Sequence, residues 1–367
     1  MRIPTRVRRV AGRVVRRVAP DRAVVGWPPE IGRGERRPNA RPRVGLVGFY
    51  GPGNYGDELF LDVFDRYLGP VADVGVVFDS ATRPYFARPI RDIVRDHDAI
   101  VIGGGDLLIS WATSDRYWLA DYLRRPVHVI GVGVPTWRPA KARVVEELRD
   151  FLRHRNVRSI TARDEESAAW IREHLRPRVE VASSADLVFA LPLPAVDRPA
   201  DPPILGIAVR WREGGDDYTS VRALAARGRE LGYRLRTIVL SSGDVRTRDE
   251  RALDELGLDD VERIASDDLA VLTRAIGECS MLASHKFHGT VVAVSYGIPA
   301  VSMSTTDKNR NLLRRLGRPE LVCAFDDPSL PDLVVRPPAA IDLAVRDAMA
   351  AEATASMERL RDRILAG

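Results

Sequence analysis

Short apolar runs alternate with amphipathic segments along most of this chain, and that alternation predicts parallel α/β structure. The first run, residues 44–49, leads into a glycine-rich turn, and the runs at 99–108 and 127–134 also contain glycines near their ends. A buried strand followed by glycines and then a helix is typical of a doubly wound α/β domain. Ligands of such domains bind beyond the carboxyl ends of the strands, so the side chains after each run are candidate site residues.

A proline-rich segment at residues 191–203 separates two such series of runs. Prolines interrupt both helix and sheet, so this segment predicts a stiff linker, and a new first strand begins at residue 204. The predicted organisation is a basic tail and linker at 1–42, an N-terminal Rossmann-like domain at 43–190, the linker at 191–203, a C-terminal Rossmann-like domain at 204–335, and a C-terminal helix at 336–367 that packs back on the body.

Residues 279–308, CSMLASHKFHGTVVAVSYGIPAVSMSTTDK, predict a β-α-β unit. The apolar segments predict strands at 279–284 and 300–304, with a short helix between them that begins near residue 290. Because the strands of such a unit are parallel neighbours, their carboxyl ends lie on one edge of the sheet. The basic side chains that follow those ends are His285, Lys286, His288 and Lys308.

These basic side chains predict a site for an anion. The chain has three lysines against many arginines, and a lysine kept against that bias indicates a need for a compact point charge, although ordinary surface lysines are the alternative. Arg210 follows the strand that begins at residue 204. Lys308 falls near the start of a helix, where its own positive charge is unfavourable unless a bound anion offsets it. Histidine titrates near neutrality, so His288 can exchange protons during a reaction, with helix capping as the alternative.

The turn after the first strand, residues 51–58, is GPGNYGDE. It matches the dinucleotide-binding pattern G-x-G-x-x-G, but Asp57 and Glu58 fall in the first helical turn and would repel a pyrophosphate there. We therefore favour a turn that faces a hydroxylated ligand, with simple helix capping as the alternative. The residues presented by this turn are Asn54, Tyr55 and Asp57. The glycine-rich segment after a later strand adds Gly104 and Asp106.

The charge of the chain is concentrated in its first 41 residues. They carry a net charge of +9, which leaves −4 for the rest of a chain whose total is +5. Apolar residues at helical spacing within 1–20 predict a helix on an anionic membrane surface, with a solvated tail as the alternative. The mildly acidic body predicts no nucleic-acid partner. We expect a cytoplasmic protein, because no run reaches the roughly 18 apolar residues of a membrane span, the N-terminus lacks the apolar core of a secretory signal, and the two cysteines suggest no disulfide. The basic tail predicts a peripheral location at the inner membrane face.

Five short motifs follow one another within residues 44–316. They are Gly53-Asn54-Tyr55-Gly56-Asp57, Gly103-Gly104-Gly105, Arg163-Asp164 with Ser167, Ser284-His285-Lys286-Phe287-His288, and Lys308. Each motif is short, and their order makes the set moderately specific. This set resembles the polysaccharide pyruvyl transferase family. One departure is Lys286, which stands where the family has an arginine and loses the bidentate geometry of a guanidinium.

The resemblance implies an α/β fold with two Rossmann-like, doubly wound domains that face each other across a cleft, similar to glycosyltransferases of the B type. It implies phosphoenolpyruvate as the donor. The implied acceptor is a sugar of a cell-surface polysaccharide or of its lipid-linked precursor, which receives pyruvate as a ketal across two hydroxyls. The reaction requires neither a metal nor another cofactor.

The roles that follow are hypotheses about named residues. His288 acts as the acid and Asp57 orients or deprotonates the acceptor. The donor-binding residues are Arg210, Lys286, Phe287, His288 and Lys308. The acceptor-binding residues are Asn54, Tyr55, Asp57, Gly104 and Asp106. Two alternatives stay open: a nucleotide-sugar glycosyltransferase of the same fold, in which Glu278 or Asp307 binds the ribose, and a non-catalytic subunit of a glycan assembly complex.

Overall fold

The computed structural model describes residues 41–199, 201–212 and 217–367, so the membrane helix expected within residues 1–20 lies outside the described part. The strands of the described part are β1 (Arg43–Val47), β2 (Asp73–Val76), β3 (Ala99–Gly105), β4 (Val127–Val132), β5 (Val157–Ala162), β6 (Val181–Ser183), β7 (Ile204–Ala208), β8 (Arg234–Ile238), β9 (Glu262–Ile264), β10 (Met281–Ser284) and β11 (Ala300–Ser302). The helices are α1 (Tyr55–Leu68), α2 (Ile90–Arg95), α3 (Ala142–Leu152), α4 (Glu165–Trp170), α5 (Thr219–Glu230), α6 (Gly243–Leu256), α7 (Leu269–Gly277), α8 (Phe287–Ser295), α9 (Asp307–Arg315) and α10 (Leu343–Ala366).

The chain divides into two compact units that interleave along the sequence. Within the described residues, the first unit comprises 41–51, Phe60–Leu187 and Ala353–Gly367, and the second comprises Pro52–Leu59 and the described part of 188–352. The glycine turn at the start of α1 therefore groups with the second unit, although it follows a strand of the first. The domain limits inferred from the sequence followed chain order and stay a prediction.

The first unit is built on six parallel strands in the order β2-β1-β3-β4-β5-β6. Strands β3 and β4 are buried along their whole length, as expected for the centre of a parallel sheet covered on both faces. The order reverses between β1 and β3, and such a switch point leaves a crevice at the carboxyl ends of the two strands. Asp106 directly follows β3, so it lies at this edge.

The second unit is built on five parallel strands in the order β11-β10-β7-β8-β9. Strands β10 and β11 are parallel neighbours, which confirms the β-α-β unit predicted at 279–308. The switch point of this sheet lies between β7 and β10, where Ala208 pairs with Ser284. Arg210 and Lys286 each follow that pair by two residues, so both begin at the crevice.

Helix α8 begins at Phe287, three residues before the predicted start at residue 290. The reason is a tight turn in which Ser284 Oγ accepts a hydrogen bond from Lys286 N at 3.1 Å and donates to Lys286 O at 2.8 Å. Gly289 N then donates to Lys286 O at 3.0 Å, which opens the helix. Lys286 is therefore the N-cap residue, and His288 lies in the first helical turn.

The last helix, α10, spans Leu343–Ala366 and so lies within the segment 336–367 that was predicted to form a C-terminal helix. Its buried side chains recur every three or four residues through Ala353, Met357, Leu360 and Ile364, and Tyr67 Oη donates to Thr354 Oγ1 at 3.3 Å. This half of the helix therefore packs within the first unit. Among the helices at 41–199, 201–212 and 217–367, none combines the length and the apolar character needed to cross a membrane.

Candidate active site

The glycine turn at the start of α1 is held against the carboxyl end of β8 by backbone hydrogen bonds. Ser242 N donates to Gly53 O at 2.6 Å, Tyr55 N donates to Leu240 O at 3.3 Å, and Asn54 forms an isolated antiparallel bridge with Ser241. Gly53 has a φ of +97°, and a Cβ there would lie 1.7 Å from Ser242 O. Only glycine fits this approach, so the motif fixes the turn in place.

The same turn places Gly56 directly against the imidazole of His288. A Cβ on Gly56 would lie 1.6 Å from His288 Nδ1, so the ring occupies the space that any larger residue would need. His288 is buried and also contacts the ring of Phe287 edge-on, with centroids 5.1 Å apart. Two motifs that lie more than 200 residues apart in sequence therefore form one constellation in the second unit.

This contact makes Gly56→Ala a sensitive probe of the constellation. We expect the substitution to lower the free energy of unfolding by about 1–3 kcal/mol, because the methyl group overpacks against His288. In a His288→Ala background the clash is absent, and the same change in α1 should be neutral or slightly stabilising. Urea unfolding of the four proteins in this double-mutant cycle measures the coupling. Equal effects of Gly56→Ala in both backgrounds would contradict the contact.

Asp57 is buried beside this imidazole. Asn54 Nδ2 donates to Asp57 Oδ2, and burial raises the pKa of Asp57 from 3.8 to about 6. The hydrogen bond from Asn54 and the positive charges of His288 and Lys308 oppose the shift. A carboxyl group with a pKa near 6 can accept a proton at neutral pH more readily than an ordinary aspartate, which suits a general base.

Lys286 is buried, and its ammonium group is engaged within the protein. It forms an ion pair with Asp249 Oδ2 and donates to Leu240 O at 3.0 Å and, at 3.4 Å, to Asn54 Oδ1. Burial lowers the pKa of Lys286, and the charge of Asp249 opposes that shift. The residue predicted as a donor ligand thus links helix α6 to the glycine turn.

The other cations expected to bind the donor lie around the start of α8. Lys308, in the first turn of α9, places Nζ 5.3 Å from the centroid of the Phe287 ring, a cation–π arrangement. Arg210 is exposed after β7, and Tyr218 Oη donates to its carbonyl oxygen at 3.3 Å.

Tyr55, expected on the acceptor side, is buried, and its hydroxyl lies 2.6 Å from Thr273 Oγ1. The hydrogen bond between Tyr55 and Thr273 anchors the glycine turn at the start of α1.

The second histidine of the motif, His285, has a different environment. It is buried and stacks on Phe325 with ring centroids 4.8 Å apart. Burial lowers the pKa of His285 to about 3, with further contributions from Arg210, Arg212 and Lys286. Its imidazole is therefore neutral at physiological pH and is a poor proton donor. Of the two histidines, His288 is the better candidate acid.

Two predicted acceptor residues, Gly104 and Asp106, lie in the first unit. Gly104 has a φ of +76°, and a Cβ on it would lie 2.4 Å from the ring of Phe60. Asp106 forms an ion pair with the buried guanidinium of Arg163, which also faces Asp164. This ion pair fixes the carboxylate of Asp106 at the switch point of the first sheet.

Sequence reasoning missed Asp249 entirely. Helix α6 begins at Gly243 and places Asp249 in its second turn, and no local sequence pattern indicates that this side chain pairs with Lys286. Glu278, suggested for ribose binding, accepts from Arg236 Nη1 at 2.6 Å, and Asp307 lies 4.0 Å from Arg310.

In the part of the chain that the structure describes, no cluster of His, Cys, Asp and Glu has the make-up of a metal site.

Comparisons with known proteins agree with this architecture. A family model described as polysaccharide pyruvyl transferase matches residues 54–307, whereas the search of curated proteins found no match. S. aureus MnaA, solved with UDP, aligns over 88% of this chain and 96% of its own, at 8% identity and a TM-score of 0.56. A glycosyltransferase from Rickettsia africae ESF-5 aligns over 89% and 99%, at 9% identity and a TM-score of 0.54.

A third structure is the UDP-GlcNAc 2-epimerase from Neisseria meningitidis bound to UDP-GlcNAc. It aligns over 89% of this chain and 100% of its own, at 10% identity and a TM-score of 0.53. At such low identity the likeness shows the fold alone. It confirms the predicted α/β class with two Rossmann-like sheets and a glycosyltransferase-B-like fold.

Proposed function

Because this chain belongs to the polysaccharide pyruvyl transferase family, we propose that it transfers pyruvate from phosphoenolpyruvate to two hydroxyls of a sugar. The acceptor would be a sugar of a cell-surface polysaccharide or of its lipid-linked precursor. The observation that carries the proposal is the pairing of the buried Asp57, whose pKa is about 6, with His288 beside it and Lys308 nearby. A proton acceptor, a proton donor and a cation in one place are what ketal transfer requires.

The proposed reaction begins at the double bond of the donor. His288 gives a proton to the methylene carbon, and positive charge develops on the neighbouring carbon that carries the phosphate and the carboxylate. A sugar hydroxyl attacks that carbon and passes its proton to Asp57. The carbon–oxygen bond to phosphate breaks, and a second hydroxyl closes the ketal. One hydroxyl proton replaces the one that His288 gave to the new methyl group, and the other leaves with the phosphate.

The charges of the donor account for the surrounding cations. Phosphoenolpyruvate carries a phosphate and a carboxylate, and Arg210, Lys308 and the amino-terminal end of α8 offer positive charge to both. Lys286 contributes less net charge, because Asp249 neutralises it. The oxidation state of the reactants does not change overall, so a nicotinamide has no role in this reaction.

The proposal predicts a specific loss of donor affinity in Lys308→Ala. We expect the KM for phosphoenolpyruvate to rise about 10- to 100-fold, the usual effect of removing one charge-assisted hydrogen bond. The matched control is Lys141→Ala, which removes an exposed lysine of the first unit at the start of α3. Steady-state phosphate release measures KM, and thermal shift reports binding.

The same thermal-shift experiment separates the proposal from its alternatives. Wild-type protein should be stabilised by phosphoenolpyruvate, and this shift should shrink in Lys308→Ala and persist in Lys141→Ala. Stabilisation by UDP-sugars alone would instead support a nucleotide-sugar glycosyltransferase. A protein that responds to neither ligand would favour a non-catalytic subunit.

A further inference from the structure

A single carboxylate, that of Asp249, joins the two segments that leave the switch point of the second sheet. Asp249 Oδ2 pairs with the ammonium of Lys286, which follows β10. Asp249 Oδ1 accepts a hydrogen bond from Trp211 N at 3.0 Å, and Trp211 follows Arg210 after β7. Helix α6 therefore holds the ends of two neighbouring strands through one side chain.

The ion pair is enclosed by the protein. The side chain of Lys286 is 10% exposed and that of Asp249 is 4% exposed. In such surroundings each charge depends on the other, because water does not replace a lost partner. Lys286 also reaches Asn54, which in turn donates to Asp57, so a chain of polar contacts runs from Asp249 to the candidate base.

We propose that Asp249 is a positioning residue of the active site, which fixes the charged ammonium of Lys286 against Asn54 and holds the segment that carries Arg210. Lys286 then serves as an internal support of the glycine turn rather than as a ligand of the donor. The part of this inference that concerns catalysis rests on the proposed function. The pairing itself does not.

Asp249 affects catalysis through the charge of Lys286 and, in turn, the pKa of Asp57. Loss of the Asp249 carboxylate leaves Lys286 buried, and burial together with nearby positive charge then favours the neutral amine. Without the ammonium, the ionised form of Asp57 loses a favourable neighbour and its pKa rises further. The groups that face Lys286 from the surrounding elements are Asp249 on α6, Arg210 after β7, His285 after β10, and Asn54 and Asp57 at the start of α1. Those that face Asp57 also include Glu58 on α1, His288 on α8 and Lys308 on α9.

Asp249→Asn tests this inference, because it removes the charge and keeps an oxygen for the Trp211 amide. The chain has only three lysines, so protein labelled with ¹³C at the lysine Cε atoms gives few signals, and Lys286→Arg assigns the relevant one. NMR titration of the full chain measures the pKa of Lys286. We expect this pKa to fall by at least about one unit, which is a tenfold loss of proton affinity. We also expect the acid limb of the pH profile of kcat/KM, where activity is lost at low pH, to shift to higher pH by about one unit.

The controls separate positioning from general damage. Asp254→Asn removes an exposed carboxylate of the same helix, which pairs with Arg263, and should change neither the titration nor the kinetics. Asp249→Glu keeps the charge and should largely restore both. If Asp249→Asn does not fold, the doubly neutral variant Asp249→Asn with Lys286→Gln avoids an uncompensated charge, and its acid limb should still move upward.

Two results would overturn the inference. One is a Lys286 titration in Asp249→Asn that matches the wild type. The other is a doubly neutral variant whose kcat/KM keeps the pH profile of the wild type. Failure of the wild-type protein to transfer pyruvate would count against the proposed function alone, because the titration uses no substrate.

Discussion

Replacing His288 by glutamine is expected to lower the kcat of pyruvyl transfer by about 10²- to 10⁴-fold, the usual contribution of a general acid. Glutamine fills similar space and offers a hydrogen-bonding end, but its amide has no proton to give to the methylene carbon of the donor. The effect should fall on kcat rather than on KM, because Arg210 and Lys308 remain to bind phosphate and carboxylate. Phosphate release under saturating phosphoenolpyruvate measures it.

The packing of His288 explains why we expect so large an effect. Gly56 leaves no room for the imidazole to move toward α1, and the Phe287 ring lies at its edge, so the ring is fixed before the substrate binds. The matched control is His174→Gln, which replaces a half-exposed histidine of the first unit that contacts Trp170. A His288→Gln protein with the kcat of the wild type would remove the proposed acid.

Replacing Asp57 by asparagine is expected to make the protein inactive and, at neutral pH, more stable. The activity should fall about 10²- to 10⁴-fold, because the amide accepts no proton from the sugar hydroxyl. The stability should rise because the folded protein no longer buries a charge. Asparagine keeps the oxygen that accepts the hydrogen bond from Asn54, so the turn should stay intact.

The direction of the stability change follows from the two pKa values. Burial raises the pKa of Asp57 from 3.8 to about 6 in the folded protein, so between these values the folded chain holds a proton that the unfolded chain has lost. Wild-type stability therefore decreases as pH rises through this window, by about 3 kcal/mol in total. Asp57→Asn lacks this decrease, so its advantage over the wild type should grow by that amount between pH 4 and pH 7.

Urea unfolding at a series of pH values between 4 and 8 measures this advantage. Asp65→Asn is the control, since it changes an exposed aspartate of the same helix and should leave the pH dependence as in the wild type. A constant difference between Asp57→Asn and the wild type over the whole range would show that the carboxyl group is not perturbed by burial. A gain of stability with loss of activity would identify a group kept for function at a cost to stability.

Much of the fold follows from the pattern of the sequence. Apolar runs followed by glycines predicted parallel strands, and the neighbouring strands β10 and β11 confirm the unit at 279–308. The start of α8 was less predictable, because it depends on a hydrogen-bonded turn between Ser284 and Lys286 and not on apolar periodicity. Periodicity reports which face of a helix is buried, whereas such turns decide where it begins.

The site was predictable only in part, because long-range contacts leave no trace in local pattern. The glycine turn and the motif that contains His288 were each recognisable, but nothing in either one indicated that Gly56 would lie against the imidazole. The sequence predicts Lys286 as a ligand of the donor and does not reveal its partner Asp249, which lies on another helix, 37 residues earlier in the sequence. The roles assigned to these residues stay predictions until variants are measured.

In the proposed reaction, pyruvate passes from phosphoenolpyruvate to a saccharide at the site around Asp57 and His288. The most direct test incubates the full chain with carbon-14-labelled phosphoenolpyruvate and a panel of lipid-linked saccharides, and measures labelled saccharide and free phosphate together. We predict equal amounts of the two products, with label that mild acid releases as pyruvate. Transfer of sugar from a UDP-sugar across the same panel, with no turnover of phosphoenolpyruvate, would contradict pyruvyl transfer as the function of this protein.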